Sequence, residues 1–198
     1  MIESGRQGSQ ITDYKNILLN AALSAGTHVH EWTIMPAAAL VFSADMHDYC
    51  KTNVCGNYGK SWTCPPACES IEEQKKKILS GNKVLVFTTK HSIEDSFDYE
   101  GMDRGRKWHT LLTCEVKRQF NDAVVYGAGR CPVCGILEGK DECSFPNPCP
   151  FPQKKIGSME AAGINVTELS KTAGIAYNNG PDTVTFFSMV VLESTTST

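Results

Sequence analysis

Long apolar runs are missing from this chain of 198 residues. Nothing approaches the ~20 residues that a membrane-spanning helix needs. The longest candidates, Ala37–Phe42 and Phe186–Leu192, are of strand length. Charge of one sign is scarce too, with Lys and Arg at 19, Asp and Glu at 22 and a net charge of −3. A protein that neutralises phosphates needs a basic excess, so nucleic acid is not an expected partner, nor is an anionic membrane surface. The stretch Met1-Ile-Glu-Ser-Gly-Arg-Gln-Gly-Ser9 lacks the basic, apolar and small-residue succession of an export signal, so the expected location is the cytoplasm.

Familiar catalytic patterns are absent as well. There is no Walker-type glycine loop. The pair Gly127-Ala-Gly129 lacks a third glycine and leads into cysteines, so a dinucleotide site is not expected. No paired carboxylates and no Ser-His-Asp arrangement stand out.

What the chain has in quantity is cysteine, nine in all. In a reducing cytosol such a set is more often metal-binding or catalytic than disulfide-bonded, and an odd number leaves at least one thiol out of any complete pairing. Cys50, Cys55, Cys64 and Cys68 lie within one stretch of 19 residues, Cys131, Cys134, Cys143 and Cys149 within another, and Cys114 stands alone between them. The spacings differ, so duplication is not indicated.

Hydrophobic residues make up 41% of the chain, enough for a sizeable core at this length. The periodicity predicts helices over Thr12–Ala25, Tyr99–Asn121 (the longest), Met159–Ala162 and Val166–Ala173. The long helix should carry Trp108, Leu111, Leu112, Val116 and Phe120 near one face. The stretch Ser43-Ala-Asp-Met46 offers an N-cap for a short helix running into Cys50. Ser70 with Glu73 forms a capping box for a helix that ends near Ser80-Gly81. Strands are expected at Trp32–Met35, Lys83–Lys90, Ala123–Tyr126 and Thr183–Leu192. This alternation predicts an α/β or α+β fold, a small mixed sheet with flanking helices. Both cysteine-rich loops should sit together at one edge of it. The expected organisation is one cysteine-rich domain over 1–198, with 1–45 as an N-terminal helix and strand.

The second group reads Cys131-x2-Cys134-x8-Cys143-x5-Cys149-Pro150. Four thiolates can complete a tetrahedral zinc site or a cubane iron–sulfur cluster. A closing Cys-Pro is also found at the end of the bacterial ferredoxin run, although the middle spacings here are longer. In the first group the spacings are x4, x8 and x3, which match no standard zinc finger. Gly56, Gly59, Pro65 and Pro66 suggest a wrapped loop, with Tyr58 and Trp62 as a lid over the site or as ordinary packing. Three cysteines there would leave an open position on a metal centre, four would close it, and Cys68 decides between the two.

The string Cys55-Gly-Asn-Tyr-Gly-Lys-Ser-Trp-Thr-Cys-Pro-Pro66, followed by Gly129-Arg-Cys-x2-Cys134, Cys149-Pro-Phe-Pro152 and Ser158-Met-Glu-Ala-Ala-Gly-Ile-Asn-Val166, resembles a family of predicted metal-binding proteins, a domain of unknown function found in anaerobic bacteria and archaea. The resemblance runs from about Cys50 to the C-terminus. It implies metal binding through Cys50, Cys55 and Cys64 and through Cys131, Cys134, Cys143 and Cys149. The family often lacks a cysteine near Cys68, which would make Cys68 a free thiol. Cys143 comes late and Pro150 replaces an Arg, so the resemblance makes Cys143 the least secure ligand.

The expected cofactors are one or two [4Fe-4S] clusters, with zinc as the alternative. Three roles follow: an electron-transfer protein that meets a redox partner protein, an enzyme with an open iron at Cys50, Cys55 and Cys64, and a zinc-stabilised interaction module. Cys114 is expected to be a buried structural thiol, and His28 and His30 exposed polar residues. His109 should be surface or core polar, and Ser158-Met-Glu160 could cap a helix aimed at the second centre.

Overall fold

The computed structural model describes residues 3–120, 122–140 and 142–192, with side chains from residue 11 onward. Its frame is a five-stranded sheet. β2 (Lys83–Ser92) and β5 (Thr183–Leu192) pair antiparallel along their whole length, from Lys83 opposite Leu192 to Ser92 opposite Thr183. β1 (Trp32–Pro36) pairs antiparallel with β2, β3 (Val125–Gly127) antiparallel with β5, and β4 (Gly157–Ser158) parallel with β3, giving the order β1-β2-β5-β3-β4.

Side chains alternate across the two central strands, and both faces are covered. Val84, Val86, Phe187, Met189 and Val191 join one cluster with Ile78 of α3 (Ile71–Ser80), Leu169 of α6 (Val166–Ala173) and Ile164. Leu85, Phe87, Val190 and Leu192 join the other with Leu18 and Ala21 of α1 (Glu3–Ala25), Leu112 and Val116 of α4 (Tyr99–Gln119) and Val133 of α5 (Val133–Glu138). Burial on both faces explains why Val84–Phe87 reads as an unbroken apolar run rather than an alternating one. Each fully buried Val, Leu or Phe there contributes about 1.5–3 kcal/mol of transfer free energy.

The expected strands and the capped helix are present: Ser70 accepts from the Glu73 amide and Glu73 reaches back to the Ser70 amide. Three expectations need correction. α1 spans 23 residues and exceeds the 21 of α4, so α4 is not the longest helix. The buried face of α4 is Gly101, Gly105, His109, Leu112, Thr113 and Val116, whereas Trp108 is 45% and Leu111 38% exposed. That face is polar in the middle because it meets Ser188 and Thr89 of the sheet, which an apolar periodicity cannot reveal. Residues 159–163 form consecutive turns rather than a helix, with Ala162 N–H on Ser158 O and Gly163 in the left-handed region at φ 82°. The short apolar run Ala37–Phe42 holds a 3-10 turn at Ala37–Ala39, and Phe42 makes an isolated bridge to Ile164. The short helix α2 is Met46–Lys51; its N-cap is Asp45, inside the stretch expected to supply one, and no side chain caps it.

Candidate metal centre

The two cysteine groups lie together beside the β3–β4 end of the sheet. β3 runs straight into Ala128-Gly129-Arg130-Cys131, and β4 begins eight residues after Cys149. The first loop starts at Cys50, in the last turn of α2, and three left-handed residues wind it: Asn53 (φ 54°), Gly56 (71°) and Gly59 (69°). Backbone bonds hold the coil, Gly59 N–H on Pro65 O at 2.8 Å and Cys68 N–H on Cys64 O at 3.1 Å. Asn53 Oδ1 accepts from the Tyr58 amide at 3.0 Å.

The coil brings Cys50, Cys55 and Cys64 onto the wall of one cavity of about 480 Å³, which Tyr58, Arg130 and Glu160 also line. Cys55 is exposed, Cys50 half-buried and Cys64 buried. Burial, then the charges of Cys55 and Glu160, raise the Cys50 thiol. Burial, then the charges of Cys55, Cys68 and Cys50, push Cys64 up to about 12. Cys50 and Cys64 therefore have thiol neighbours close enough to oppose their ionisation. A bound metal would offset that repulsion and displace the thiol protons.

Cys68 is not on the cavity wall. Burial and then Cys50 push it up to about 11. Its sulfur lies 3.9 Å from His47 Nε2, whose stronger bond is to Ala161 O at 2.7 Å.

In the second group, the Cys131 amide donates to Thr63 Oγ1 at 3.0 Å, tying it to the first loop across 68 residues. Its sulfur accepts from the Ile156 amide at 3.4 Å. Burial raises the Cys131 thiol, the Ile156 and Val133 amides oppose this, and the charges of Cys143 and Cys149 add to the rise, so these three sulfurs are neighbours. Cys134 is buried in the first turn of α5, where Lys140 feels its charge. Cys143 differs from every other thiol that shifts. Burial pushes it up, but the Phe145 and Trp62 amides and the Ser61 and Ser144 hydroxyls outweigh burial and hold it below the usual thiol range. Ser144 Oγ, buried and with no hydrogen-bond partner of ordinary geometry, is the last of these groups. The cysteine that the resemblance makes least secure thus has the densest set of donors around its thiolate.

Trp62 neither lids the cavity nor packs in the core. Its indole N–H donates to Asn147 O at 2.9 Å and its ring stands edge-on to Phe145, 5.0 Å between centroids at 83°, clasping the second loop. Ser158 caps no helix: its hydroxyl donates to Glu160 Oε2 at 2.8 Å, and Glu160 faces the first group rather than the second. Cys114 is half-buried on α4, and burial pushes its thiol up to about 12. His28 is exposed, whereas His30 is half-buried against Asn179. His109 is fully buried.

Sequence reasoning missed Ser61 and Thr63, the two buried hydroxyls between Lys60 and Cys64 that reach the second loop. It placed Glu160 in a helix cap at the second centre rather than beside the first group. A polar pair flanking Trp62 inside a cysteine motif is the signal that was present. Among the described residues, no three His, Cys, Asp or Glu side chains close on one point as a single ion requires. No described helix is long and apolar enough to cross a membrane.

Neither the curated proteins nor the solved structures contain a match to this chain. A family model described as predicted metal-binding protein, domain of unknown function 2284, matches residues 33–192, reaching further toward the N-terminus than the cysteine motifs alone. With residues 33–192, most of its length, matched by this model, the chain belongs to this family of predicted metal-binding proteins.

Proposed function

We propose that this protein is an iron–sulfur redox protein whose two cysteine groups each hold a [4Fe-4S] cluster. The observation that carries this reading is the cavity of about 480 Å³ shared by Cys50, Cys55 and Cys64. Thiolates are soft ligands that suit iron–sulfur clusters and zinc. A zinc ion needs its sulfurs at about 2.3 Å from one point. Thiols spread round a wide cavity fit a larger, polynuclear group better. Cys131, Cys134, Cys143 and Cys149 would hold the second cluster, with the amides of Ile156, Val133, Phe145 and Trp62 stabilising the thiolate form. Hydrogen bonds to cluster sulfurs tune the potential.

A cubane cluster supplies one-electron transfer and, where an iron lacks a protein thiolate, a Lewis-acidic position for a small molecule. The cavity favours the second use at the first group. Cys68 stands off the wall beside His47, Tyr58 and Arg130 border the space, and Glu160 sits near Cys50. The chain is then an enzyme site fed by the second cluster, and a redox partner protein exchanges electrons with that cluster.

Purification without oxygen, with iron, zinc and sulfide counted per chain, tests the proposal. Two cubanes give about eight irons and eight sulfides. Cys68→Ser should keep that count and Cys64→Ser should lose about half of it. Adding a small thiolate or carboxylate to the reduced Cys68→Ser protein should change its spectrum. A colourless protein with about one zinc per four-cysteine group and no sulfide would overturn the iron–sulfur reading. Full four-cysteine coordination at the first group would return the chain to simple electron transfer.

A further inference from the structure

A file of polar side chains crosses the molecule where an apolar layer is expected. Thr89 and Ser188 on the central strands, and His109 and Thr113 on α4, are all at most 2% exposed. They form one unbroken hydrogen-bonded chain: His91 Nε2 to Thr89 Oγ1 (2.9 Å), Thr89 Oγ1 to His109 Nδ1 (2.9 Å), His109 Nε2 to Ser188 Oγ (2.8 Å), and Ser188 Oγ to Thr113 Oγ1 (2.8 Å).

Proton counting fixes its direction. Thr113 Oγ1 has one hydrogen and donates it to His109 O at 2.9 Å. It therefore accepts from Ser188, which accepts from His109 Nε2–H. His109 Nδ1 is then the ring's acceptor, Thr89 donates to it, and Thr89 accepts from His91 Nε2–H. Every donor points the same way, away from His91.

Both ends lead somewhere. His91 is half-buried at the end of β2, and the exposed His28 ring stands 6.4 Å away. Gly105 lets α4 come this close, because a Cβ there would lie 2.9 Å from His91 Cγ. At the far end a Cβ on Gly127 would meet Thr113 Cγ2 at 3.3 Å and Ser188 Oγ at 3.5 Å, so the glycine lets these two side chains pack against β3. Beside them is a cavity of about 10 Å³, lined by Thr113, Gly129 and Arg130 among others. That is about one water molecule's room. Gly129 and Arg130 also line the cysteine cavity.

We propose that His91, Thr89, His109, Ser188 and Thr113 are a proton relay between the solvent near His28 and the back wall of the cysteine cavity. A proton arriving on His91 is matched by transfer of its Nε2 proton to Thr89, of the Thr89 proton to His109 Nδ1, of the His109 Nε2 proton to Ser188, and of the Ser188 proton to Thr113. Thr113 turns its hydroxyl from His109 O to a water in the small cavity and releases its proton there. No electron is moved and no bond other than O–H and N–H is made or broken. Thr113 is the rotor, and His109 changes tautomer with each passage until its ring proton is returned. The proton's destination, a reduction at the cysteine cavity, rests on the redox reading above; the relay itself does not.

The test is solvent exchange of the His109 ring proton, followed by NMR in the full chain with nitrogen-labelled histidine. A proton this buried in a merely structural network leaves only when the core opens, as the amides of β2 and β5 do. The relay predicts exchange at least ~100-fold faster than those amides. Removing both gates in Thr89→Val/Thr113→Val should bring it down to the amide rate. Thr89→Ser/Thr113→Ser, which keeps both hydroxyls, should restore it. The amide rates monitor folding in every variant. A wild-type ring proton as protected as the core amides would overturn the relay, and so would fast exchange that survives the double valine change. Neither result depends on iron content, so failure of the relay and failure of the iron–sulfur reading remain separate.

Discussion

Acid should weaken this fold before its carboxylates begin to protonate, and His109 is the reason. The ring is completely buried, and burial pushes its pKa from the ordinary 6.5 down to about 3, with the Phe187 backbone opposing and the His91 charge assisting. In the unfolded chain the ring takes up a proton near the ordinary value, while in the folded chain it stays neutral. Protons therefore bind the unfolded state preferentially, and stability present above about pH 6.5 is lost as the pH falls toward 3. For one such group the loss between about pH 7.5 and 5 is about 2 kcal/mol, and the slope approaches about 1.4 kcal/mol per pH unit. His91 is lowered too, first by burial and then by the His28 charge, and so acts in the same direction.

Urea unfolding at several pH values gives the measurement, with His109→Gln as the comparison. Glutamine can donate toward Ser188 and accept from Thr89 but cannot titrate. The variant will be less stable at every pH, and that offset is not the test. What counts is the slope: the wild type should lose about 2 kcal/mol more than His109→Gln over the interval. Parallel curves would show that His109 is protonated in the folded chain, which would refute the buried neutral ring and the donor order drawn from it.

Three further outcomes follow from the structure. Trp62→Leu removes one hydrogen bond and one edge-on aromatic contact and should cost about 1–3 kcal/mol in thermal or urea unfolding; a double-mutant cycle with Phe145→Leu should assign about 0.5–1.5 kcal/mol of that to the ring pair, and additivity would show that the rings do not interact. Ser70→Ala breaks the capping box of α3 and should cost about 0.5–2 kcal/mol, measurable by urea unfolding; no change would mean that the first turn is held by tertiary contacts instead. In metal-free protein, peptide-resolved alkylation across rising pH should modify Cys143 before Cys64 and Cys114, because the first is held below the usual thiol range and the others lie at about 12. Alkylation of Cys114 at a lower pH than Cys143 would contradict the donor set described for the second loop.

Local signals were the legible part of the sequence. The capping box at Ser70 and Glu73, the periodicity of α6 and the apolar run of β5 announce their elements within a few residues. The cysteine spacing likewise marked where the thiols are. Two kinds of information were hidden. Apolar periodicity misread α4, whose inner face uses Gly101, Gly105, His109 and Thr113 to approach the sheet and exchange hydrogen bonds with it. It also took Met159–Ala162 for a helix, because small apolar residues buried in successive turns look the same as a helical stripe. Contacts between loops were hidden too: nothing near Thr63 says that its hydroxyl holds the amide of Cys131, and nothing near Cys143 says that the amide of Trp62 faces it.

That cross-strapping has a consequence for assembly. Thr63 and Trp62 belong to the first loop, yet their polar groups hold the second at Cys131, Cys143 and Asn147. Neither loop can settle into its final shape while the other is loose. The two should become protected from amide exchange together, at one common opening rate, so that settling one loop half-builds the other.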